Sequence, residues 1–182
     1  MPDLPEHIAT ESTVWLSRSV LKFIVHNADH HHPEETGGVL LGYWINDGTD
    51  VVITKAVGPG PEAGHRRYGF TPDHQYQEQE IARFYEASGR RLGYLGDWHS
   101  HPEGPTKLSR RDCRTLKRIA RFGPARNPWP IMLILGNHWN VGLWQAKRSA
   151  SCLPWRTISL KRAQLRYFNS KNPEADGRTR GD

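Results

Sequence analysis

The chain has 182 residues, of which 36% are hydrophobic, 10% aromatic and 24% charged, a size and mix that fit one compact globular domain and exclude a disordered chain. No apolar run approaches the roughly 20 residues of a membrane-spanning helix, and Met1–Thr10 is polar and acidic rather than basic then apolar, so a cytoplasmic protein is expected. The net charge of +6 hides an asymmetry, with 8 Lys/Arg against 15 Asp/Glu in residues 1–106 and 17 against 4 in residues 107–182.

In chain order, residues 1–12 read as a loose leader. Val14–Leu16 reads as a short strand, and Val20, Leu21, Ile24 and Val25 fall at helical spacing in a helix expected to fray near Asp29. Gly37–Ile45 and Val51–Val57, joined by a turn at Asn46-Asp47-Gly48, read as a hairpin. A Gly/Pro loop spans Gly58–Gly64, followed by a short strand around Tyr68–Thr71. Asp73 opens a helix through about Ser88 that Gly89 closes, with Tyr76, Ile81, Phe84 and Tyr85 on its buried side. Strands are expected at Arg91–Trp98, Trp129–Gly136, Val141–Ala146 and Trp155–Leu160, and a helix at Ser109–Arg121. Interspersed helices and strands predict an α/β (α+β) fold, a mixed central sheet flanked by helices, in one domain over residues 13–168. The segment 169–182 reads as a flexible polar tail.

The chemistry-bearing stretch is Gly96-Asp97-Trp98-His99-Ser100-His101-Pro102, with Asp112 eleven residues after His101 in the first turn of a helix. Residues i and i+2 of a strand point to the same side, so His99 and His101 can converge. Two imidazoles and a carboxylate with a fourth position open are a catalytic zinc pattern. A competing reading needs no metal: Ser109-Arg110-Arg111-Asp112 has the form of a helix cap, although Asp is shorter than the Glu or Gln usual in a capping box. Glu35 sits just ahead of a glycine-rich strand from which a carboxylate could approach a neighbouring strand; alone, it reads equally as a solvated acid.

Together these residues resemble the JAMM, or MPN+, metalloproteases, whose signature is an upstream Glu, His-x-His-Pro, a Ser and an Asp at fixed spacing. The resemblance covers roughly residues 14–150 and implies a single MPN/JAB-like domain. It implies that His99, His101 and Asp112 hold Zn²⁺, that Glu35 takes a proton from the attacking water and delivers it to the leaving amine, and that Ser109 hydrogen-bonds the oxyanion. It further implies an isopeptidase or peptidase acting after the C-terminal residue of a ubiquitin-like or conjugated protein. Gly58-Pro59-Gly60-Pro61, Phe70-Thr71-Pro72-Asp73 and Gly96-Asp97-Trp98-His99 resemble the short bacterial branch, found in antiphage operons and beside E1- and E2-like enzymes. An extended tail could pair with a sheet edge or loop near the metal, with the Gly58–Phe70 loop as guide and Gly58, Phe70 and Trp98 as candidate substrate contacts.

Other features invite different readings. Asp29-His30-His31-His32 looks metal-like, but three consecutive residues at a helix end point apart and the helix dipole favours histidines there. Cys113 and Cys152 form no CxxC pair, and Cys113 reads as a small core residue. Arg110, Arg111, Arg114, Lys117, Arg118 and Arg121 on one helix raise a nucleic-acid-binding module as the rival, which steep salt dependence would identify; nucleic acid is the less expected partner. A further rival is an MPN domain that binds a ubiquitin-like tail without cutting it.

Overall fold

The computed structural model describes residues 12–45, 50–123, 127, 129–148 and 158–169. The expected leader up to residue 11, the turn at Asn46–Gly48, Cys152, the start of the strand at Trp155 and the tail from residue 170 lie outside the described residues.

Among the described residues, ten strands and three α-helices follow in the order β1 (Thr13–Ser17), α1 (Arg18–His31), β2 (Gly37–Ile45), β3 (Asp50–Val57), β4 (Gly64–Arg66), β5 (Gly69–Thr71), α2 (His74–Ala87), β6 (Gly93–Ser100), α3 (Arg110–Arg121), β7 (Ile131–Leu135), β8 (Val141–Arg148), β9 (Ile158–Arg162) and β10 (Gln164–Phe168), with a single 3-10 turn at Asn137–Trp139 between β7 and β8. Eight strands form one mixed sheet ordered β10-β1-β3-β2-β6-β7-β8-β9, and β4 and β5 form a separate hairpin. The β1–β10, β1–β3 and β6–β7 pairs are parallel, and the other pairs in the large sheet are antiparallel. This is the mixed α/β single domain expected from the pattern.

Alternation along the strands assigns the helices to the two faces. Leu40, Leu95, Trp98, Ile131, Leu133 and Leu135 pack with Val20, Ile24 and Ala28 of α1 in the main core. Val39, Leu41 and Val57 point the other way, against Tyr76, Ile81 and Phe84 of α2, while Met132 and Ile134 meet Leu116 and Ala120 of α3. Helices α2 and α3 therefore share one face and leave a groove between them, floored by β6. Among the described residues no helix is long and apolar enough to cross a membrane.

Several expectations move. Helix α1 runs to His31 rather than ending near Asp29, with Pro33 just beyond it. Strand β6 starts at Gly93 because the Ser88 hydroxyl accepts hydrogen bonds from the Arg91 and Leu92 amides, and it extends through Ser100. The β4 strand at Gly64–Arg66, ahead of the expected short strand that becomes β5, and β10 were not anticipated. Tyr85 faces outward at 40% exposure, and Gln77 is the residue α2 buries, donating to the Gly58 carbonyl at 3.0 Å.

One irregularity sets the geometry of the groove floor. The β2–β6 register shifts between Leu40 and Leu41, where β6 carries an extra residue at Leu95–Gly96. Tyr94 and Asp97 consequently share the groove face, and the Tyr94 hydroxyl donates to Asp97 at 2.7 Å. Gly96 adopts φ +150, and a Cβ there would run into the Ile131 carbonyl. Gly96→Ala is expected to cost about 2–4 kcal/mol in denaturant unfolding, whereas Gly93→Ala on the same strand, where a Cβ meets nothing within 4 Å, should change stability by less than about 0.5 kcal/mol.

Candidate metal centre and active site

Strand β6 delivers His99, which is 6% exposed, to the groove face, and sends Trp98 and Ser100 to the other side. His101 follows immediately, anchored by its amide to the Leu135 carbonyl at 2.7 Å. The loop to α3 is clamped to β7 and β8: the Asn137 amide donates to the Gly104 carbonyl at 2.9 Å, and the Trp144 indole to the Thr106 carbonyl at 2.9 Å. These bonds bring the N-terminus of α3 back to the end of β6.

There Asp112 completes the cluster. The Nε2 atoms of His99 and His101 lie 3.1 Å apart, His99 Nε2 is 3.4 Å from Asp112 Oδ1, and His101 Nε2 is 3.6 Å from Asp112 Oδ2. Two imidazole nitrogens and a carboxylate oxygen are donors suited to zinc, and tetrahedral bonds of ~2.0–2.1 Å place ligand atoms about 3.3–3.4 Å apart, so the residues fit such an ion. Among the described residues this is the group of His, Cys, Asp and Glu arranged to hold a metal. The His101 Nδ1–H donates to the Pro105 carbonyl at 3.1 Å, which turns Nε2 toward the cluster. Burial, reinforced by the neighbouring His99, lowers the pKa of His101 and keeps a lone pair available.

Capping and metal ligation are not alternatives for Asp112. Its Oδ2 accepts from the Ser109 amide at 2.7 Å while the Ser109 Oγ accepts from the Asp112 amide at 3.1 Å, a complete capping box despite the shorter side chain. Burial by itself would raise the Asp112 carboxyl, but hydrogen bonding and charge from His99 together with the Ser109 bonds hold it well below the usual carboxylate range.

Glu35 enters the same groove from the segment before β2. Its amide donates to the Arg66 carbonyl at 2.8 Å and its carbonyl accepts from His65 Nδ1 at 3.1 Å. The next residue is tied to β6, since the Thr36 amide donates to the Ser100 hydroxyl at 3.0 Å and the Ser100 amide to the Thr36 carbonyl at 2.8 Å. Burial raises the pKa of the Glu35 carboxyl, against the lowering influence of His99; Asp112 raises it further and Arg111 lowers it.

Of the candidate substrate contacts, Phe70 lies in the groove, where its ring fills the space a side chain on Gly37 would need. Trp98 adjoins the groove, but its side chain is completely buried in the main core and donates to the Val57 carbonyl at 3.0 Å, so it offers a substrate no exposed surface. Gly58 is buried toward Asn27 and Phe23, away from the groove. Cys113 is half-buried rather than a core residue. Ser100 and His65 are the supports that sequence reasoning missed. Ser100 was signalled by its place between two outward histidines, which forces it inward; nothing in the sequence marked His65. His31, one of the histidines set aside at the α1 terminus, stacks on His65 with ring centroids 3.7 Å apart.

The family model of prokaryotic homologues of the JAB domain matches residues 17–151, a span that contains Glu35, His99, His101, Ser109 and Asp112. The chain is 34% identical over 161 residues to the probable metalloprotease y4qB of Sinorhizobium fredii, covering 86% of this chain and 98% of that protein. It is 30% identical over 90 residues to a CD-NTase/cGAS isopeptidase of Escherichia coli, covering 50% of this chain and 56% of the relative. A CD-NTase/cGAS isopeptidase of Enterobacter hormaechei is 28% identical over 125 residues, covering 68% and 67% of the two chains. The solution structure of protein DSY2949 from Desulfitobacterium hafniense has the same fold, with a TM-score of 0.57 at 16% identity, covering 86% of this chain and 94% of that one.

Titration calorimetry with zinc should detect one tight site in the native protein, and no such site in His99→Ala, His101→Ala or Asp112→Ala. Asp112→Ala should additionally lower the stability of the metal-free protein by about 0.5–2 kcal/mol through loss of the cap, whereas His101→Ala leaves the cap bonds in place. Tight zinc binding that survives all three substitutions would remove the cluster from consideration.

Proposed function

The chain belongs to the prokaryotic JAB-domain family, and from that premise we propose that it is a cytoplasmic zinc-dependent isopeptidase or peptidase. Its substrate is the bond after the C-terminal residue of a ubiquitin-like or otherwise conjugated protein, in a bacterial antiphage conjugation system with E1- and E2-like partners. The observation that carries this reading is the convergence of His99, His101 and Asp112, whose facing atoms lie 3.1, 3.4 and 3.6 Å apart, beside a half-buried carboxylate that accepts no side-chain hydrogen bond among the described residues. The names of the relatives, a probable metalloprotease and two CD-NTase/cGAS isopeptidases, support the conjugate-cleaving class.

When bound, a zinc ion brings the pKa of a water ligand to about 7 and polarises a carbonyl. The chain's own residues do the rest. Glu35, made more basic by burial, takes the proton of the attacking water and passes it to the departing amine. The Ser109 oxygen already accepts from the Asp112 amide, so its proton is free to donate to the carbonyl oxygen as that oxygen gains charge. The hydrogen bonds from Glu35 to Arg66 and His65 fix where the base stands.

The groove has a volume of about 2140 Å³, larger than the ~300–1,000 Å³ typical of small-molecule pockets and suited to a polypeptide. Strand β5 borders it and pairs only with β4 among the described strands, so an extended tail can add to β5 and lay its final residue at the cluster.

Glu35→Gln is expected to keep zinc at the native stoichiometry and to cut hydrolysis of a tail fusion by about 10²–10⁴-fold. Ser109→Gly, which preserves most of the capping energy, should lose about 10²–10³ in kcat with little change in melting temperature. Chelation should abolish cleavage and added zinc restore it. Undiminished cleavage by Glu35→Gln, or by the metal-free protein, would refute the proposal.

A further inference from the structure

Helix α3 carries a row of cations that the catalytic reading leaves unused. Asp112, Leu116 and Ala120 face the sheet, while Arg111, Arg114, Arg118 and Arg121 are exposed and border the groove. Their spacing of i, i+3, i+7 and i+10 puts them along one side of the helix. None has a carboxylate oxygen within 4 Å among the described residues, although Arg67, Arg83 and Arg90 each pair with a glutamate.

The helix dipole favours Arg118 and Arg121 in the last turn but accounts for neither Arg111 nor Arg114. Like charges at i+3 and i+4 repel, and Arg111 stands in the first turn, where the helix dipole disfavours a cation. Its guanidinium lies over Gly69 of β5, 2.7 Å from where a Cβ would be, and Gly69 has φ +149. The absence of a side chain there lets the arginine reach across the groove toward the strand on which the tail would pair.

Resting on the isopeptidase reading above, we propose that this arginine row binds an acidic C-terminal tail, recognising carboxylates just upstream of the scissile bond. Arg111 to Arg121 spans about 15 Å at 1.5 Å per residue, the reach of four or five extended residues at about 3.3 Å each. The recognised carboxylates therefore fall within about the last six residues of the tail. Away from the row the groove carries both signs, with Glu35, Glu78 and Asp97 beside Arg67, Arg90 and Arg91. A ligand with negative charge at a few positions matches this mixed lining better than a continuous phosphate backbone, which favours acidic protein over nucleic acid. Exposed Phe122 at the far end of α3, with Ile119, suits apolar residues between the acidic ones.

The test uses the zinc-loaded full chain and two decapeptides ending in glycine-aminomethylcoumarin, one with Glu at the third and fifth positions from the scissile bond and one with Gln. The Glu peptide should have a kcat/KM at least tenfold higher, an advantage that shrinks as salt rises. In Arg114→Glu/Arg118→Glu the preference should invert, so that a peptide with Lys at the same positions becomes the better substrate, a gain that misfolding cannot produce. Equal cleavage of the Glu and Gln peptides, or a preference untouched by charge reversal, would overturn the proposal. So would tight binding of a 15-nucleotide oligouridine without peptide discrimination. If neither peptide is cut, the isopeptidase reading fails, and fluorescence anisotropy of labelled free-acid peptides on Glu35→Gln still decides this inference: selective capture of the Glu peptide supports it and equal binding refutes it.

Discussion

The Asp112 carboxylate is the constraint on which the site depends. One oxygen is held by the Ser109 amide at 2.7 Å, the other stands 3.4 Å from His99 Nε2, and both relationships require α3 to begin where it does. A carboxylate fixed by a backbone amide is oriented before any metal arrives, so little ordering entropy remains to be lost on binding. The positive end of the helix dipole adds to the same hold. The clamp of the Gly104 and Thr106 carbonyls on β7–β8 extends this preorganisation to the loop that leads into α3.

The base is held by a different part of the molecule. Glu35 belongs to no long strand; hydrogen bonds to Arg66 and His65 tie its backbone to the β4 hairpin, while Ser100 ties its neighbour Thr36 to β6. The His31–His65 stack extends that support to the end of α1, so three elements distant in sequence converge on one residue. Any displacement of the β4–β5 hairpin would move the base, and the same hairpin presents the edge on which a tail can pair.

The legible part of the site was the part encoded locally. His99, Ser100 and His101 alternate across one strand end, and Ser109 and Asp112 share one helical turn, so periodicity places each side chain once the elements are known. What depended on long-range packing was not legible. Trp98 was a candidate substrate contact, yet the same alternation sends its side chain into the core. The bulge at Gly96 could not be read from residue types, although it puts Asp97 and Tyr94 on the groove face. Strand β10 escaped notice because Gln164-Leu165-Arg166-Tyr167-Phe168 is a half-exposed edge strand, whose parallel partner β1 lies some 150 residues earlier, at Thr13–Ser17. The capping reading of Asp112 held and only the expectation that its side chain is too short failed: Oδ2 reaches the Ser109 amide while Oδ1 faces His99.

The charge asymmetry of the sequence is carried into the groove in part: residues 1–106 contribute Arg67, Arg90 and Arg91 as well as carboxylates, and the unbroken run of cations lies on α3. The acidic first part, residues 1–106, contributes Glu35, Glu78 and Asp97 to floor and wall, and the basic remainder contributes the exposed face of α3. The boundary falls in the loop between His101 and Ser109, so the centre is assembled across it. Arg111 belongs to both fields: it lowers the pKa of Glu35 against the effect of burial, and it opens the row that runs outward along α3. Burial outweighs that lowering, so the carboxyl of Glu35 stays raised beside the first cation of the row.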